Sequence, residues 1–134
     1  MLLVDAANVI GSRPTGWWKD RAGAARSFVE DLRAGVAAGR LAEPVVVVLE
    51  GKARAGASVG TAEGVTVVHA EGSGDDALVE VVGDASAASA SAASAASAEE
   101  VVLVTADREL RRRAEALGAK VVGPTWLLER LANQ

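Results

Sequence analysis

Four separated stretches of the chain place acidic residues directly after apolar runs. Leu2-Leu3-Val4 leads into Asp5, and Val45-Val46-Val47-Val48-Leu49 leads into Glu50. Val65 to Val68, followed by Gly72-Ser73-Gly74, leads into Asp75-Asp76. Val101-Val102-Leu103-Val104 is followed three residues on by Asp107. If these runs are parallel strands of one sheet, their ends lie on one edge, which is where open α/β sheets bind ligands. Carboxylates gathered there repel and raise one another's pKa. A divalent cation neutralises such a cluster. Held by carboxylates and waters, it stabilises charge on a phosphate and activates a water for in-line attack. The chemistry this predicts is phosphodiester hydrolysis.

Composition narrows the metal. There is no cysteine and a single histidine, His69, so thiolate sites and multi-histidine sites are excluded. Oxygen ligands alone favour Mg²⁺ or Mn²⁺. A Ser-His-acid triad would have to use His69, the only imidazole in the chain.

Each acid also has a plainer reading. Asp75 and Asp107 each precede a helical pattern and suit helix N-caps, as does Ser73 with Asp76 at its third position. Glu50 suits a solvated strand end. Asp5 follows a buried run with no obvious helix after it, and a buried acid needs a partner. Asn8 is either a loop hydrogen-bonder or a side chain that orients Asp5.

The elements that must position these residues follow from hydrophobic spacing. A loop is expected from Asn8 to about Trp18, marked by Gly11, Pro14 and Gly16. Ala22, Ala25, Val29, Leu32 and Val36 recur at three- and four-residue steps, the stripe of an amphipathic helix, with Gly39 as its stop. The β-branched run at 45–49 suits a strand buried on both faces. Residues 51–63, rich in Gly and Ala, read as a mobile loop, and Val65 to Val68 as a third strand. A helix is expected from Ala77 through Val82, a strand at 101–104, a helix at 108–117, a strand at 120–122 and a closing helix at 124–131. Ala85–Ala98, made of Ala and Ser alone, reads as a low-complexity insert, either a poorly packed helical extension or a solvated linker. The alternation predicts one α/β domain over 1–134, a three-layer sandwich around a mainly parallel five-stranded sheet with helices on both faces.

The 134 residues carry a net charge of −4, which argues against a protein that coats nucleic acid indiscriminately. The cations are local, however. Arg13, Lys19 and Arg21 follow the first strand, and Lys52 and Arg54 the second, so both loops open on the acidic edge. They are candidate phosphate contacts or ordinary surface cations. Arg111-Arg112-Arg113 reads as a solvated helix face. Trp17 and Trp18 could stack on unpaired bases, while Trp126 reads as core and His69 as structural. Met1–Ile10 does not read as a signal peptide, and no apolar run approaches a membrane span. A cytoplasmic protein without a membrane partner is expected.

Three segments together resemble a known family. Leu3-Val4-Asp5-Ala6-Ala7-Asn8-Val9-Ile10-Gly11 is similar to the opening of the NYN/YacP-like branch of PIN-like ribonucleases. Gly74-Asp75-Asp76-Ala77-Leu78 resembles its second acidic motif, and Val104-Thr105-Ala106-Asp107-Arg108-Glu109 its third, in which a small hydroxyl residue stands just before an Asp. The resemblance implies a five-stranded parallel sheet, a divalent metal and endoribonuclease activity on RNA, single-stranded or on the ribosome. It implies Asp5, Asp75 and Asp107 as the catalytic and metal-site acids, with Asp76 as a further metal candidate and Asn8 as a further catalytic candidate beside them; Thr105 and Glu50 are candidates for support. Glu50 stands where the pattern commonly has Asp. A non-catalytic RNA- or ribosome-binding module of the same fold is the alternative. A haloacid-dehalogenase-like phosphatase would want a second Asp at position 7, which is Ala. A dinucleotide fold would want a Gly-rich turn after the first strand, and Gly72-Ser73-Gly74 lacks the Lys and length of a P-loop.

Overall fold

The structure is a computed structural model that describes residues 1–13, 15–90 and 100–132. Strands β1 (Leu2–Asp5), β2 (Val45–Leu49), β4 (Val65–His69), β5 (Val102–Val104) and β6 (Lys120–Val122) run parallel, and β3 (Gly60–Ala62) pairs antiparallel with β4 at one edge. The strand order is β3-β4-β2-β1-β5-β6. The chain thus builds outward from β1 through β2 to β4, then returns to the other side of β1 with β5. The reversal point lies between β1 and β5.

The short β-branched strands are buried because helices cover both faces. On one face, α1 (Ala6–Gly11), α2 (Arg21–Ala37) and α5 (Pro124–Ala132) supply Val9, Phe28, Leu32 and Leu127, which pack against Val4, Val45 and Val47. On the other, α3 (Gly74–Ala90) and α4 (Arg108–Ala116) supply Leu78, Val82, Leu110 and Ala114, which pack against Leu3, Val48 and Leu103. Alternate residues of one strand thus serve opposite cores. This is the expected three-layer α/β arrangement.

The sheet differs from expectation by one strand: it is six-stranded and mixed. Residues 51–63 were expected as a mobile loop. Instead they form a 3-10 turn, Gly51–Gly56, and then β3. The hairpin β3-β4 closes through Glu63 and Gly64, both in the left-handed region with φ of 53° and 79°. Two such residues twist the hairpin in the sense that its strands require. The Thr61 and Thr66 hydroxyls, 2.7 Å apart, clip it across the strands. The expected loop from Asn8 to Trp18 likewise begins as α1 and ends in a 3-10 turn at Trp17–Lys19. Of the Ala/Ser insert expected at 85–98, α3 runs through Ala90, and the remaining positions lie outside the described residues.

Candidate carboxylate site at the sheet edge

Asp5 is the last residue of β1 and the N-cap of α1. Its Oδ1 accepts a 3.3 Å hydrogen bond from the Asn8 amide. The expectation that no helix follows Asp5 is therefore corrected: six residues are too few to show a helical period in the sequence, yet the cap is formed. Asp5 remains unusual in being buried, at 6 % exposure. Its Oδ2 accepts a 2.9 Å hydrogen bond from the hydroxyl of Thr105, the residue just beyond β5. Asp5 and Thr105 therefore meet across the point where the strand order reverses, the crevice where folds of this type bind ligands.

Thr105 serves twice. Its Oγ1 also accepts the Asp107 amide at 3.1 Å. Asn8 crosses the same gap, its Oδ1 accepting the Ala106 amide at 2.8 Å. The β5–α4 turn is thus fastened to the β1–α1 turn at two points. Asp107 then caps α4, its Oδ1 accepting the Leu110 amide at 2.9 Å. Thr105 is a positioning residue for both carboxylates, and Asn8 holds the turns together rather than reaching Asp5 with its side chain.

Glu50 is more than a solvated strand end. Its Oε2 accepts the Gly74 amide at 2.6 Å, so the end of β2 meets the start of α3. A carboxylate at a helix N-terminus gains from the exposed amides and the helix dipole. Glycine at 74 is what permits the approach, since a Cβ there would lie 2.9 Å from that same oxygen. Ser73 accepts the next amide, that of Asp75, at 3.1 Å. Ser73 thus caps α3, and Asp75 lies in its first turn rather than at the cap.

Electrostatics tie these residues together. Burial pushes the Asp5 pKa from 3.8 up to about 6. The Thr105 hydroxyl and Asn8 amide oppose the rise, and the charges of Asp75 and Glu50 add to it. Asp75 is also raised, first by burial, then by Asp107 and Glu50, with Arg113 opposing. Asp75 is thus coupled to Asp5, Glu50 and Asp107, and Asp5 to Glu50 as well. Asp76 takes a different course: its Oδ1 accepts from Arg113 Nη2 at 3.1 Å on the exposed side of α3.

The cations divide as well. Arg54 is committed to backbone, donating to the Gly51 carbonyl at 3.0 Å and the Ala70 carbonyl at 3.4 Å, and so braces the turn after β2. Lys19 and Lys52 are exposed, and Arg13 is half-buried. The Arg21 guanidinium lies 5.4 Å from the ring centroid of half-buried Trp17. His69 is structural, its Nε2 lying 2.7 Å from the Ala57 carbonyl. Arg111 and Arg112 pair with Glu115 and Glu109 along α4, as a solvated face does. Trp126 is half-buried under the Arg130 guanidinium, 3.9 Å from its centroid.

The donor set suits a hard divalent cation, being carboxylate throughout and lacking a facing cation at Asp5. Among the described residues, no group of three His, Asp or Glu side chains is arranged to hold a metal ion by itself. Mg²⁺ seldom uses a closed protein cage; one or two carboxylates, several waters and substrate phosphates are its usual shell. Fit is therefore a matter of chemistry and charge rather than of a preformed cage.

Fold and edge together define a three-layer α/β domain with carboxylates at its topological switch point. No family model matches the chain, and no curated protein matches it. Among solved structures it is similar to Rae1 (YacP) from Bacillus subtilis, with a TM-score of 0.64 and 20% identity over 98% of this chain and 72% of that one. A single-substitution mutant of the same protein gives a TM-score of 0.65 and 18% identity over 97% and 73%. At this identity the likeness is one of fold, and the fold is YacP-like. Among the described residues, no helix is long and apolar enough to cross a membrane.

Proposed function

We infer that the chain is a divalent-metal-dependent endoribonuclease of the PIN-like kind, acting at Asp5, Asp75 and Asp107 with Glu50 beside them. The observation that carries this reading is Asp5: a buried carboxylate at the switch point, raised to about 6, facing further carboxylates and no cation. A buried charge of this kind costs stability unless something neutralises it. Mg²⁺ or Mn²⁺ would supply that charge, polarise a phosphate and lower the pKa of a bound water. Asp5, Asp75 and Asp107 would hold it, Thr105 and Asn8 would fix the turns that carry them, and Asp76 would contribute only by releasing Arg113. Lys19, Lys52 and Arg13 would meet the RNA backbone, Arg21 would contact the RNA from beside Trp17, and Arg54 would shape the loop. The YacP-like fold and the three sequence motifs of the YacP-like ribonucleases point the same way from independent directions.

The alternative is a module of this fold that binds RNA or the ribosome without cutting; among the described residues no three side chains are arranged to hold an ion by themselves. Incubation of labelled single-stranded RNA with the protein separates the two. Cleavage products with Mn²⁺ that vanish with EDTA support the nuclease. Retention of RNA with no cleavage under Mg²⁺ or Mn²⁺ supports the binding module.

A further inference from the structure

A cleft of about 310 Å³ lies between α1, the Trp17–Lys19 turn and the Gly51–Gly56 turn. Ile10, Trp17, Ala53 and Gly72 line it, with Arg21 and Glu50 also on its wall. Nothing in the carboxylate chemistry requires it. Its size is at the lower end for ligand clefts, suited to one heterocycle rather than a duplex. Apart from Arg21 and Glu50, its lining is apolar or small: an indole, an isoleucine, alanines and glycines. The indole is half-buried and fixed, with Trp18 packed edge-on at 6.1 Å and the Arg21 guanidinium against it at 5.4 Å.

Charge selects the occupant. Glu50 on the wall disfavours a phosphate inside, whereas a neutral, flat, partly polar ring meets an aromatic plane and a planar cation, the pair on which unpaired bases stack. Glu50 accepts the amide at the start of α3 and influences both Asp5 and Asp75, so the cleft adjoins the carboxylate edge. We propose that this cleft is a nucleobase subsite, in which Trp17 and Arg21 hold one unpaired base of single-stranded RNA while its backbone runs along the carboxylate edge. The proposal rests on the reading of the protein as RNA-acting, and it locates where the strand is gripped.

The test compares binding of a fluorescein-labelled RNA octamer with that of an equally long octamer lacking bases at its central positions, by anisotropy, in EDTA. The wild-type chain is expected to bind the base-bearing strand about tenfold more tightly, the range of one aromatic stacking contact. Trp17→Leu should remove that preference, and Trp17→Phe should restore most of it. Circular dichroism melting accompanies each variant, and the Phe variant keeps the test valid if the Leu variant unfolds. Equal binding of the two octamers by the wild type, or an undiminished preference in folded Trp17→Leu together with Arg21→Ala, overturns the subsite. Metal-dependent cleavage is scored separately. A protein that prefers bases through Trp17 but never cuts retains the subsite and loses the nuclease reading; one that cuts with Mn²⁺ while ignoring Trp17 does the reverse.

Discussion

The hydroxyl of Thr105 donates to Asp5 Oδ2 at 2.9 Å and accepts the amide of Asp107 at 3.1 Å, so one side chain spaces two acids that lie 102 positions apart. Asp5 is buried, and the Thr105 hydroxyl is the partner of its second oxygen among the described residues. Thr105→Val keeps the shape and removes both hydrogen bonds. It is expected to cost about 1–3 kcal/mol in urea unfolding at neutral pH, the range for leaving buried polar groups unsatisfied. Thr105→Ser should recover most of the loss. A Val variant as stable as wild type would show that the hydroxyl is not holding the edge together.

Asp5 makes stability depend on pH. Its pKa rises on folding from 3.8 to about 6, so the folded chain holds this proton more tightly than the unfolded one. The stabilisation is fully present below about pH 4 and is lost as pH rises through about 6. Asp5→Asn cannot lose it. The stability of the variant relative to wild type, without metal, should therefore grow between pH 4.5 and 7.5, by on the order of 2 kcal/mol. Paired urea titrations at the two pH values read this directly, and a gap that stays constant or shrinks contradicts the burial argument.

Metal should act in the opposite sense to that repulsion. If the edge gathers carboxylates around Mn²⁺, the ion binds the folded chain and raises its melting temperature, more at pH 7.5 than at pH 5.5, where Asp5 is largely protonated. Asp107→Asn isolates one member. Asn is as good an N-cap as Asp, so α4 should keep its start and metal-free stability should change by less than about 1 kcal/mol. Most of the Mn²⁺ gain should disappear. Identical Mn²⁺ responses in wild type and variant would reduce Asp107 to a helix cap.

The exposed cation Lys52 should act on RNA affinity alone. Lys52→Ala is expected to weaken binding of single-stranded RNA and to lower the slope of log K against log salt by about 0.7, the value for one phosphate contact on a single strand. The Mn²⁺-dependent rise in melting temperature should be unchanged. An unaltered salt slope would return Lys52 to the ordinary surface.

Much of this edge was legible in the residue pattern. Each apolar run at 2–4, 45–49, 65–68 and 101–104 is a parallel strand, because β-branched runs of that length can be buried only inside a covered sheet. Parallel strands then deliver Asp5, Glu50, Asp75 and Asp107 to one side. What escaped depends on single contacts. Nothing in Ala6–Gly11 has the length to show a helical period, so Asp5 was not read as a cap. Glu63-Gly64 is a weaker turn signal than Asn-Gly, and β3 has no buried side chain to give it an alternating pattern. The partner of Glu50 is a backbone amide 24 residues away, which no side-chain pattern announces. Asp76, grouped with Asp75 by adjacency, turns away to Arg113 because neighbouring helical residues point about 100° apart.

The most direct measurement is the rate of single-stranded RNA cleavage in Mn²⁺ by wild type and by Asp5→Asn. The substitution preserves shape, and the side-chain oxygen of Asn can still accept from the Asn8 amide or the Thr105 hydroxyl, so the variant should remain folded and melt no lower than wild type without metal. Removal of the charge should nevertheless lower the rate by two or more orders of magnitude, since the cation that the proposed mechanism assigns to Asp5 would supply both charge stabilisation and the activated water. A folded Asp5→Asn protein that cuts RNA as fast as wild type would contradict the account.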